Sequence, residues 1–100
     1  MSDVGSVALK VRSKNAGPFW ITIDIFCGSA TAFRRIADGL STHRVAALVR
    51  TDPGAIKRFD IADLNVVKFS LPRPTVQGDR HDRDMHGAAL AALVRDMPLN

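Results

Sequence analysis

Arg12-Ser13-Lys14-Asn15-Ala16-Gly17-Pro18 gathers two cations, a hydroxyl, an amide and a glycine just ahead of a strand-like run. Side chains of these types bind anions. Arg12 offers a planar fork matched to carboxylate or phosphate, and Lys14 a mobile point charge. Ser13 and Asn15 both donate and accept. Gly17 lets backbone N–H groups turn inward toward a negative group. The chemistry such a set supplies is orientation and electrostatic stabilisation rather than proton transfer. The order matches neither the GxxxxGK[ST] phosphate loop nor the GxGxxG dinucleotide turn. A solvated turn between two strands collects the same residue types, so both readings stand at this point.

A second cluster lies toward the other end of the chain, in Asp84-Met85-His86-Gly87. Asp82 or Asp84 is placed to cap a helix, with His86 and the backbone near Gly87 in its first turn. A helix start attracts anions, and a histidine there can act as acid or base. A plain capped helix with an exposed histidine explains the same residues. His81, His86 and the neighbouring aspartates are metal-ligand types, but Arg80 and Arg83 interleave with them and oppose a cation. No metal and no cofactor is expected. Cys27 is the only cysteine; it closes a strand on the apolar side and reads as a buried, inert thiol.

The elements that must position these groups follow from periodicity. In the run from Pro18 to Phe26, residues Phe19, Ile21, Ile23 and Ile25, continued by Cys27, alternate with Trp20, Thr22, Asp24 and Phe26, which predicts a strand. The second face is not plainly polar, and something besides water is expected to cover it. Val7–Arg12 alternates weakly and can pair with this strand. Ser29 or Thr31 caps a helix with Phe33, Ile36, Ala37 and Leu40 on one stripe, ended by Gly39. Ser41 or Thr42 caps the next, with Val45, Leu48 and Val49, stopped by Pro53-Gly54. Residues 55–61 and 65–71 read as short strands, the second with Val67, Phe69 and Leu71 on one face. Pro72 and Pro74 end it, a polar loop follows, and Leu90, Leu93, Val94 and Met97 form a final helical stripe.

The resulting order, β-β-α-α-β-β-α, predicts one small α+β domain over residues 1–100, with helices on one face of a mostly antiparallel sheet. The apolar fraction of 46% is ordinary for a globular chain. No apolar run reaches the length of a membrane span, and no secretory signal is read, so a cytoplasmic protein is expected. The net charge is +4, and residues 1–50 carry all of the excess. Such a field favours anionic partners.

Taken together, the stretches 11–26, 69–74 and 78–97 resemble a small bacterial family of unknown function whose members accompany acyclic terpene utilisation (AtuA-like) proteins. The resemblance runs from about Leu9 to Leu99. It rests on Arg12, Ser13, Lys14, Asn15, Ala16, Gly17 and Pro18, on Pro72-Arg73-Pro74, and on Asp84 and Gly87. It implies a ferredoxin-like sandwich with a sheet of about four strands. It also implies a subunit that supplies to a larger AtuA-like chain a domain that others carry at their own C-terminus. The implied activity is catabolism of a branched carboxylic acid or its coenzyme A thioester, by hydration or dehydration. The family places an aromatic where this chain has His86, so no catalytic role for His86 is carried over.

The expected site is therefore an anion-binding one built from Arg12, Ser13, Lys14, Asn15 and Gly17. Arg73, Asp84, His86 and Gly87 close it if the strand ends converge, and the base lies on the partner. Self-association is expected when the partner is absent. Two other classes compete: a structural or regulatory subunit without a substrate role, and a basic nucleic-acid module. The second is disfavoured, because the aromatics are expected mostly on inward positions.

Overall fold

The computed structural model describes residues 2–17, 19–72 and 87–99. Its elements are α1 (Val4–Val7), β1 (Lys10–Asn15), β2 (Trp20–Phe26), α2 (Ala30–Gly39), α3 (Thr42–Val49), β3 (Lys57–Ile61), β4 (Val66–Pro72) and α4 (Gly87–Arg95). The four strands form one antiparallel sheet in the order β1-β2-β4-β3. This is the expected α+β sandwich, compatible with a ferredoxin-like fold.

The inner face of the sheet follows from β2 and β4. Ile21, Ile23 and Ile25 pair with Leu71, Phe69 and Val67, and all six are at 0% exposure. Each such side chain contributes roughly 1.5–3 kcal/mol on leaving water. Ile36, Leu40, Val45, Val49, Leu90 and Val94 close the core from the helical layer. Helix starts sit where the sequence places them. Ser29 Oγ accepts from Ala32 N–H at 3.1 Å, and Ser41 Oγ from Arg44 N–H at 3.2 Å.

Four local expectations change. Arg12–Asn15 belongs to β1 rather than to a turn, because pairing with β2 holds it extended. Phe19 is 57% exposed; it precedes β2 instead of joining its buried face. Leu93 is 46% exposed and borders a groove between α3 and α4, while Leu90, Val94 and Met97 make the buried stripe. The aromatics are not mostly inward, since only Phe69 of the six is buried. Asp84 and His86, and with them the predicted helix cap, lie outside the described residues.

Two arginines fasten the frame. No basic residue stands in the last turn of α2, whose carbonyls need partners. Arg58 of β3 supplies them: Nη1 donates to Leu40 O at 2.6 Å and Nη2 to Ala37 O at 2.8 Å, while Nε holds Asp60 Oδ1 at 2.9 Å. Its guanidinium also lies 5.4 Å from the Phe69 ring centre. Arg44 donates to Gly39 O at 3.1 Å and to Pro98 O.

The two ends of the domain are clasped together. Val4 N–H donates to Met97 O at 2.9 Å and Leu99 N–H to Ser2 O at 2.8 Å, with Asp3 bridging Pro98. The approach is close at Gly5, where a Cβ would come within 2.4 Å of Arg95 Cγ. This clasp explains the topology. Moving β1 from the front of the order to the end gives βαββαβ, the ferredoxin-like succession, and the clasp stands where that connection would run.

Two outcomes follow. A permuted chain opened in the Ala16–Phe19 turn, with residue 99 joined to residue 2 by a short linker, should unfold cooperatively with a native-like circular dichroism spectrum. An unfolded product would show the two orders are not equivalent. Arg58→Met should cost roughly 1.5–3 kcal/mol in urea denaturation, the scale of hydrogen bonds to a charged group.

Candidate functional site

The outer face of the sheet carries no helix among the described residues, and its composition follows from the register. Cross-strand partners share a face. With the isoleucines inward, Lys14, Thr22, Ser70 and Lys57 form one outward row; Arg12, Asp24, Lys68 and Phe59 form the next; Lys10, Phe26, Val66 and Ile61 form the third. Trp20 stands beyond the first row, opposite Pro72.

Arg12 and Lys14 come together as the sequence suggests, but as strand residues two apart rather than as a loop. With Ser13, Asp24 and Phe26 they line a hollow of about 150 Å³. Both cations are exposed. Asp24, on the floor, is half-buried and faces Lys68 Nζ at 3.8 Å from its Oδ1. That leaves the hollow with an excess of positive charge. An anion entering it would meet the Arg12 fork and the Lys14 ammonium, with the Phe26 ring on one side.

The rest of the predicted set divides. The Ser13 hydroxyl accepts from Ala91 N–H of α4 at 3.1 Å on the helical side of the sheet. Asn15 shares that inward register with Ile21. Gly17 shapes the hairpin: its φ of +84° suits glycine, and Ala16 N–H donates to Trp20 O at 2.8 Å across the turn. Gly87 opens α4. Arg73, Asp84 and His86 lie outside the described residues. Asp24, Lys68 and Lys57 were not singled out from the sequence. Their alternation on strands beside Arg12 and Lys14 was the available signal, but it could be used only once the pairing was known.

Trp20 and Phe59 are 39% and 48% exposed on this face, and Lys57 Nζ lies 5.8 Å from the Trp20 ring centre. The Thr22 hydroxyl is buried between the strands without a hydrogen-bond partner among the described residues. Cys27 is buried and its Sγ donates to Ile25 O at 3.6 Å. Burial pushes its thiol above the ordinary range, with Asp60 adding to the rise and a hydrogen bond from the Val67 backbone opposing it. It is the buried thiol the sequence suggests.

The fold and face define a small α+β domain with one helical side and one open, basic, partly aromatic sheet. The chain belongs to a family described as a domain of unknown function, DUF4387, whose model matches residues 4–97. No curated protein and no solved structure matches it. No described helix is long and apolar enough to cross a membrane.

The Thr22 hydroxyl gives a direct test of how dry this face is. Thr22→Val keeps the shape and removes a polar group whose unsatisfied burial costs about 1–3 kcal/mol. The isolated chain should hold or gain stability in urea denaturation. A loss would show that the hydroxyl has a partner in solution.

Proposed function

We propose that this chain is the small subunit of a two-component catabolic enzyme. It seats on a larger AtuA-like chain and supplies an anion-binding wall to a shared site. Arg12 and Lys14 hold the carboxylate of a branched acid, or a phosphate of its coenzyme A thioester. The catalytic base stands on the larger chain, and the reaction is a hydration or dehydration.

The observation that carries this reading is an incomplete site. Arg12 and Lys14 project from the open face over a hollow of about 150 Å³, whereas small-molecule sites usually enclose roughly 300–1,000 Å³. Two cations over a hollow this size can grip one end of an anionic substrate but cannot enclose it, so a second surface has to complete the walls. The resemblance carried by the Arg12–Pro18 and Pro72–Pro74 stretches names the kind of chain that would do so. Arg73, Asp84 and His86 lie outside the described residues and Gly87 opens α4, so the wall proposed here rests on Arg12 and Lys14.

Coexpression of the two chains tests the subunit claim, and point variants test the wall. Arg12→Ala and Lys14→Ala should each lower turnover of an acyl substrate by the assembled enzyme roughly 10–150-fold, as for a lost hydrogen bond to a charged group. Melting temperature should be unchanged, and turnover is read with the larger chain at saturation so that weaker assembly is not mistaken for a lost substrate contact. Full activity in the double variant would reduce the face to an interface without a substrate role.

A further inference from the structure

We infer that the outer face of the sheet, centred on Trp20, Lys57 and Phe59, is the docking surface for the larger chain, and that the patch it meets is acidic around an apolar hollow. The inference rests on the subunit reading above and adds where the partner sits and what its surface must carry.

The face selects its occupant by charge. Lys10, Arg12, Lys14, Lys57 and Lys68 stand on it against Asp24 alone. They stand on every strand except β2, and Asp24 on β2 is the one acidic residue in these rows. A second copy would meet like charge with like. A single-stranded nucleic acid would gain from the cations but needs a succession of ring faces to stack on. Here Trp20 and Phe59 are two strands apart, the Lys57 ammonium stands 5.8 Å from the Trp20 ring centre, and Asp24 lies in the middle row. The remaining apolar surface includes the half-buried aliphatic groups of Ile61 and Pro72, which suit packing against protein side chains. A partly exposed tryptophan with a lysine ammonium beside its ring matches the usual centre of a protein interface, an aromatic anchor with polar surroundings.

The test uses residues outside the proposed anion wall. The purified larger chain is titrated with wild type, with Trp20→Ala/Phe59→Ala, with Lys10→Glu/Lys57→Glu, and with Arg34→Glu/Arg35→Glu on the exposed side of α2. Circular dichroism and melting confirm that each is folded. The aromatic and charge-reversal pairs should each weaken binding at least tenfold, and the α2 pair less than twofold. The charge-reversal pair should also flatten the salt dependence of association. A wild-type complex left intact by both face variants would overturn this surface while leaving the subunit reading standing. Failure of the wild type to bind would overturn both. A homodimer that Trp20→Ala dissolves would assign the face to a second copy, and displacement of the larger chain by a twenty-nucleotide oligo(dT) or oligo(U) would assign it to nucleic acid. Either of those results also overturns the inference.

Discussion

Ile21, Ile23 and Ile25 of β2, paired with Leu71, Phe69 and Val67 of β4, must all stay dry at once, and the rest of the molecule is arranged around that requirement. A strand repeats every two residues, so sending the isoleucines inward sends Trp20, Thr22, Asp24 and Phe26 outward. The register with β1 then fixes Arg12 and Lys14 outward as well. A slip of one residue would turn Lys10, Arg12 and Lys14 toward the core and bring Val11 to the surface, a loss no local interaction could offset. The basic face is thus a by-product of the core, and it is held in place by the same energy.

Helix ends and chain ends are secured by groups that look like free charge in the sequence. Arg58 and Arg44 both belong to the basic count, yet their guanidiniums are spent on the carbonyls of Ala37, Leu40, Gly39 and Pro98. Counting net charge along the chain therefore overstates what is available to a ligand. Among the described residues, the strand cations Lys10, Arg12, Lys14, Lys57 and Lys68 share the outer face because the inner face has no room for them, while Arg34 and Arg35 stand on the exposed side of α2.

The sequence made strands visible where one face is fully apolar, as along 20–26 and 66–72, and it made helix starts visible through Ser29 and Ser41. It showed β1 only in part: Val7–Arg12 alternates weakly and reads as a partner of β2, whereas Lys14 and Asn15 are poor strand formers and become extended by pairing with β2. Ser13 read as an anion ligand because its neighbours did, and only the strand period reveals that it faces α4. Phe59 and Lys57 carried no local signal, since their place on the open face depends on β4 sitting between β2 and β3. Long-range order of this kind is also what separates Arg58 from an ordinary surface cation. The site was legible in its residue types, at Arg12 and Lys14, and not in its companions.

The electrostatics of the outer face make sense when water is removed. In contact with solvent, exposed cations such as Arg12 and Lys14 hold a carboxylate weakly, because the high dielectric and the salt screen the attraction. At an effective dielectric near 20 the same pair of charges about 4 Å apart interacts roughly fourfold more strongly than in bulk water. Nothing within the described residues excludes water from this hollow, so a covering surface would do two things in one step. It would bury the exposed rings of Trp20 and Phe59, which favours assembly, and it would strengthen the hold of Arg12 and Lys14 on an anion trapped beneath it. Docking and substrate binding would then be coupled through one physical quantity, the water content of the sheet face.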